Sequence, residues 1–292
     1  MIYYLALPFI YFFSLLPFPV LYLISDCFYL LLYYGIGYRK EVVMTNLRNA
    51  FPEKTDDEIG KIARQYYRYL CDLFLETFKT LTIGRKAMLR HCSFTPEAEA
   101  VFARFADEGR SIVLVLGHLG NWEWAGNTFS LTNRQQLFVI YHPIRNKYFN
   151  GLMYRMRTRF GTKLIAMKDT FREMLSNRSA MVSATAFIAD QTPSPDNAYW
   201  MNFLNQDTPV FKGTEIIARK INYPVVYAHV MRVGRGYYKM HAEVLVEQPG
   251  ATSDGEITRI HTQRLEKDII ARPETWLWSH KRWKHKRPQE TN

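Results

Sequence analysis

The sequence is poor in the features that mark several common chemistries. It has three cysteines, Cys27, Cys71 and Cys92, an odd number with no patterned spacing. No disulfide frame or zinc motif can be built from them, and they suggest reduced thiols in a chain whose bulk faces the cytosol. There is no phosphate loop, no dinucleotide fingerprint and no zincin histidine pair, and no other cluster has metal-ligand spacing. No internal repeat is present. Met1–Tyr38 holds no Lys or Arg and a single acid, Asp26. It has neither the basic start nor the small-residue cleavage site of a cleaved signal peptide.

Against these absences stand 292 residues, enough for a large core, with 19 Phe, 19 Tyr and a formal net charge of +11. Such a charge attracts an anionic partner: nucleic acid, an anionic lipid surface or an acidic carrier protein. Pro8, Pro17 and Pro19 interrupt the N-terminal run. The pattern predicts an interfacial piece followed by a membrane helix from about Pro19 to Gly37, roughly the length that spans a hydrocarbon core. Tyrosines suit the interface, and Arg39-Lys40 would close the segment on the cytoplasmic side. A buried amphipathic hairpin of a soluble domain is the alternative.

Residues 1–40 are thus read as a membrane anchor and 41–292 as one α/β domain. Thr55–Glu58 has the form of a capping box, opening a helix whose apolar face includes Ile59, Ile62, Tyr66 and Leu70. Ala98–Asp107 reads as a further helix. From Ser111 onward strands and helices alternate. The expected strands are Ile112–Leu116, Gln136–Tyr141, Met181–Asp190, Pro224–Val230 and Tyr237–Val246, the last as an edge strand. Helices are expected at Asn146–Phe160, Thr214–Lys220 and Ile257–Ile270.

The stretch Ser111–Asn127, SIVLVLGHLGNWEWAGN, carries the chemistry. A buried strand stops at Gly117, and His118 follows where a strand fixes the backbone and the loop opens to a ligand. Histidine takes a proton near neutral pH. Glu123, five residues on, is the expected orienter of that ring. No Ser or Cys adjoins His118, so the nucleophile is expected from a substrate, as in acyl transfer to a hydroxyl. A plain helix start fits the same residues, with Asn121 as N-cap and Glu123 in the first turn. Asp190 ends a strand and serves equally a site or a loop cap. Arg155, Arg157 and Arg159 alternate on a helix, so they spread over a wide arc and one or two at most face one site. Lys281, Arg282, Lys284, Lys286 and Arg287 interleave with Trp276, Trp278 and Trp283. No nucleic-acid-binding fold accompanies them, so this tail is expected to rest on an anionic bilayer and not on nucleic acid.

The block GHLGNWE resembles the His-x4-Glu block of the late acyltransferases of lipid A biosynthesis, the lauroyl/myristoyl transferase family. That family is similar to the glycerolipid acyltransferases. NLRNAFPE (Asn46–Glu53), RTRFG (Arg157–Gly161), Ala189-Asp190-Gln191, Phe203–Gly213 and PETWLWSHKRWK (Pro273–Lys284) resemble further family segments, in family order. The resemblance implies a mixed sheet flanked by helices and an O-acyltransferase at the cytoplasmic side of the inner membrane. His118 and Glu123 would be catalytic, and Arg157, Arg159, Asp190 and Asn121 would contact substrate. No cofactor or metal is implied. The donor would be an acyl carrier protein or coenzyme A thioester, and the acceptor a lipid A precursor. Another lysolipid or glycolipid acceptor stays open, as does a non-enzymatic membrane-surface adaptor in which His118 is dispensable.

Overall fold

The computed structural model describes residues 2–288; Met1 and residues 289–292, the outer ends of the two expected segments, lie outside the described residues. Two apolar helices come first, α1 (Ile2–Leu15) and α2 (Phe18–Leu30), and α2 continues as a π-helical turn over Leu31–Ile36. Pro17 and Pro19 stand at the start of α2, where a missing N–H costs little. Pro8 lies inside α1 and does not end it. The stretch Phe18–Ile36 is long and apolar enough to cross a membrane. It also carries polar ties to the rest of the fold. Ser25 Oγ donates to Asp72 at 2.6 Å, and Asp26 pairs with Arg235 at 2.8 Å. The outer face presents Leu5, Phe9, Phe12, Leu23 and Leu31.

Helix α3 (Lys40–Ala50) leads to α4 (Asp56–Lys79), the long helix on which α1, α2 and α3 pack. The predicted capping box starts α4: Thr55 N–H donates to Glu58 Oε2 at 2.8 Å and Glu58 N–H to Thr55 Oγ1 at 3.3 Å.

Then follow α5 (Arg85–His91), β1 (Cys92–Phe94), α6 (Pro96–Asp107), β2 (Ile112–Leu116), α7 (Trp122–Thr132), β3 (Gln136–Tyr141), α8 (Lys147–Thr158) and β4 (Lys163–Ala166). The second half holds α9 (Thr170–Asn177), β5 (Ser183–Ile188), β6 (Ala198–Phe203), β7 (Gln206–Phe211), α10 (Gly213–Ile221), β8 (Val225–Gly234), β9 (Tyr237–Val246) and α11 (Glu256–Ala271). Seven strands form one sheet in the order β1-β9-β8-β2-β5-β3-β4, parallel throughout except for the β8–β9 hairpin. Strand β9, expected at an edge, is covered by the short parallel β1, which takes the edge. The β6–β7 hairpin stands apart; its two loop residues, Leu204 and Asn205, have φ of 52° and 60°, as a primed two-residue turn requires.

Strand β2 shows why the sheet is buried on both sides. Ile112 and Leu114 point into one cluster, with Phe102, Trp124 and Phe129 from α6 and α7. Val113 and Val115 point into the other, with α4, α11, Trp276 and Trp278. A strand walled in by helices has no solvent face, and its sequence runs apolar without alternation.

The segment after α11 departs from expectation. Trp276, Trp278 and Arg282 are buried, at 2%, 0% and 1% exposure, so its tryptophans are core and not membrane contacts. Local composition reads as an interfacial tail because basic and aromatic residues alternate. In the fold only Lys281, Lys284, Lys286 and Arg287 among these point outward.

Candidate active site

Leu116 and Ile188 are register partners at the C-terminal ends of the adjacent parallel strands β2 and β5. His118 and Asp190 each lie two residues beyond, so the sheet sets them side by side. Asp190 Oδ1 accepts from His118 Nδ1 at 2.6 Å, and Oδ2 accepts from the His118 backbone N–H at 2.7 Å. Trp276 Nε1–H donates to the same Oδ2 at 2.8 Å. Burial would raise the carboxyl of Asp190, but the charge and hydrogen bonds of His118, helped by Trp276, hold it down at about 2. An ionised carboxylate only accepts, which assigns a proton to Nδ1 and points Nε2 away from Asp190.

That nitrogen faces a cavity of about 270 Å³ that His118 lines together with Trp122, Glu123, Arg157 and Gln191. Gln191 Nε2 lies 3.4 Å from His118 Nε2, and the Trp122 ring meets the imidazole edge-on at 4.9 Å. Away from His118 the walls turn apolar, through Leu114, Ala186 and Val230 to Phe94, Phe102 and Phe129.

The expected Glu123–His118 contact is not formed. Glu123 sits in the first turn of α7, and Trp122 takes the direction that faces the imidazole. The Glu123 carboxylate turns to α8 and accepts from Arg157, Nε at 2.9 Å and Nη2 at 2.5 Å. Burial works against the charge of Arg157, but Glu123 outweighs it and holds the guanidinium above its ordinary value. The carboxylate that holds the His118 ring is Asp190, a residue for which the family resemblance implies a substrate contact.

Two other expected substrate contacts also differ. Residues two apart on a helix point about 200° away from each other. Arg157 reaches the cavity, whereas Arg159 turns back and donates to the carbonyls of Thr80 and Ile83, at 2.5 and 2.6 Å. Asn121 is fully buried as the N-cap of α7: its Oδ1 accepts from Trp124 N–H at 3.0 Å. Its amide donates to Glu76 Oε2 at 2.8 Å. Glu76 also accepts from Tyr22 of α2 at 2.9 Å and Tyr238 of β9 at 2.7 Å. This buried carboxylate thus joins an N-terminal helix to the cap of the helix that follows His118.

The loop Gly117–Asn121 is held from several sides. Leu119 bridges to Trp276, Gly120 N–H donates to Thr275 O at 3.2 Å, and Tyr69 Oη–H donates to Gly120 O at 2.5 Å. Gly120 has φ +63°, and an added Cβ would stand 2.0 Å from the Val230 carbonyl oxygen, so only glycine fits. Among the described residues no cluster of three or more His, Cys, Asp or Glu side chains is arranged to hold a metal ion.

Residue reasoning does not single out Gln191, and it places Trp276 in a tail on the bilayer. Each lies in a segment that carries the family resemblance, the C-terminal block and the Asp-Gln step. No curated protein matches the sequence. The family description "Bacterial lipid A biosynthesis acyltransferase" matches residues 1–285, nearly the whole chain. The chain belongs to the bacterial lipid A biosynthesis acyltransferase family.

Proposed function

We propose that this acyltransferase moves a fatty acyl chain from a thioester to a hydroxyl of a lipid A precursor, with His118 as general base. The observation that carries the reading is a histidine whose Nδ1 is held by a carboxylate and whose Nε2, beside the Gln191 amide, faces an apolar cavity. The acceptor hydroxyl gives its proton to Nε2 as its oxygen bonds to the thioester carbon. The tetrahedral intermediate then collapses, the C–S bond breaks and the thiol leaves with a proton. Asp190 steadies the imidazolium that forms between these steps. The apolar walls take the acyl chain and keep water from the thioester. Arg157 engages Glu123 through Nε and Nη2, so its other donors are free for an oxyanion or an acceptor phosphate.

No cofactor enters; the donor is an acyl carrier protein or coenzyme A thioester. The acidic carrier suits a chain of net charge +11. The outward apolar residues of α1 and α2 lie against the cytoplasmic side of the inner membrane, with anionic lipids drawn to the surrounding basic groups.

The test is mass spectrometry of lipid A and of phospholipids from cells with and without the gene. Loss of one acyl chain from lipid A is expected; loss from phospholipid alone would move the enzyme to another acceptor. Arg157→Ala should lower kcat/KM at least about tenfold at saturating donor, with no salt condition in the wild type reproducing the loss. Arg159→Ala, by contrast, should lower thermal stability and leave kcat near wild type, since its bonds go to the carbonyls of Thr80 and Ile83. Wild-type kinetics for Arg157→Ala would remove it from the site.

A further inference from the structure

On the face of the sheet opposite the large cavity, Asp190 also borders a second, much smaller one of about 10 Å³. That is about the space one water molecule occupies. Its walls are mostly apolar side chains, among them Val115, Phe203 and Leu265, and three ionisable groups besides Asp190 reach it: Arg282, His261 and Tyr227. Tyr227 is committed, its hydroxyl donating to Asp268 at 2.7 Å. The other two are not.

Arg282 is 1% exposed and uses one nitrogen, Nη2, which donates to Pro209 O at 2.7 Å. Its Nε and Nη1 are buried without a partner, and so is Nε2 of His261. A buried cation with two idle donors is costly unless something of opposite charge or a bridging water stands by. Asp190 supplies the charge: it receives three hydrogen bonds, only one of them at Oδ1, which keeps a lone pair. A water in the cavity would accept from Arg282 and donate to Asp190 and to His261, the number of partners buried waters usually have.

The remaining groups around the pair do not compete for this part. Burial holds His261 and His280 down to about 4, so both are neutral at pH 7. Arg264 is taken by Asp268 and Glu243, and on the other side of His118 the charges of Glu123 and Arg157 cancel each other. Burial lowers Arg282 to about 10, which leaves it a cation at neutral pH.

We propose that Arg282 is a positioning residue: through one water shared with His261 it supplies the permanent countercharge of Asp190. The carboxylate then stays ionised while His118 is neutral, and His118 stays free to accept a proton. This rests on the reading of His118 as base, so the test has a readout that needs no acyl transfer.

In full-length enzyme in detergent micelles, the ring titration of His118 is followed by NMR for the wild type, Arg282→Gln and Arg282→Lys. With the competing cation removed, His118 should hold its proton to a pH about one unit higher in Arg282→Gln, and Arg282→Lys should restore most of the difference. The acid limb of kcat/KM should move by the same amount, whereas a merely structural role would lower activity evenly at all pH. A folded Arg282→Gln with unshifted titration overturns the proposal. A shifted titration in an enzyme with no acyltransferase activity would spare it and sink the proposed function instead. Should Arg282→Gln not fold, a high-resolution crystal structure of the wild type decides. One water within hydrogen-bond distance of Arg282, His261 and Asp190 is expected, and a dry cavity overturns the link.

Discussion

His118→Ala should fold, bind membranes and bind donor normally, and lose about two to four orders of magnitude in kcat. The fold is expected to survive because the loop does not depend on the ring. Leu119, Gly120 and Asn121 are held by Trp276, Thr275, Tyr69 and Glu76. What disappears is the ring nitrogen that faces the cavity beside the Gln191 amide, so a hydroxyl must attack without giving up its proton. The measurement is single-turnover transfer from a purified acyl thioester to a lipid A precursor, with donor binding followed separately. Near-normal turnover would remove the base from the mechanism.

Asp190→Asn should cost nearly as much as His118→Ala, about 10²–10⁴ in kcat with KM little changed. The amide offers one acceptor and one donor where the carboxylate offers two acceptors. If its oxygen faces the imidazole, its NH₂ meets the N–H groups of His118 and Trp276. If it flips, the ring must take the other tautomer, and Nε2 then carries the proton and has no lone pair. Either way the base is lost. Glu123→Gln keeps the Asp190–His118 pair intact and should lose less, chiefly through a displaced Arg157. A Glu123→Gln enzyme deader than Asp190→Asn would return the orienting role to Glu123.

Asp190→Asn should also alter acid stability, and the sign is fixed. The folded-state pKa of Asp190, about 2, lies below the ordinary aspartate value near 4. The carboxylate therefore stabilises the fold above about pH 4, and that contribution fades as pH falls towards 2. The stability gap between wild type and Asp190→Asn, read from thermal unfolding in detergent, should be largest near neutrality and close through that window.

Much of this site was legible in the chain because its parts are local. A run of five aliphatic residues marks β2, and it stops at Gly117, in a loop whose Gly120 is pressed against the Val230 backbone. Thr55 and Glu58 announce α4 for the same reason, since a cap is made within four residues. The pairing of His118 with Asp190 was not legible. It depends on β5 lying beside β2, and strand order is a property of the whole sheet. Glu123, five residues from His118, looked the better partner because nearness along the chain was the only distance available. The β6–β7 hairpin and β4 are not legible: β6 and β7 mix polar residues and a proline into their apolar positions, and β4 has only four residues. The C-terminal block misled in the opposite sense: its tryptophans looked interfacial until Asp190 and the core turned out to need them.

Glu76 makes the N-terminal helices a poor place to cut. With Tyr22 removed, a fully buried carboxylate loses a donor, and the same carboxylate holds the Asn121 amide at the start of α7. A soluble version for crystallisation or inhibitor screening is better made by repainting than by deletion. Replacing Leu5, Phe9, Phe12 and Leu23 with polar residues changes only outward side chains and keeps the lock between Tyr22, Glu76 and Asn121. By the same logic, a chimaera that borrows its first two helices from a relative must borrow a hydroxyl at position 22 with them.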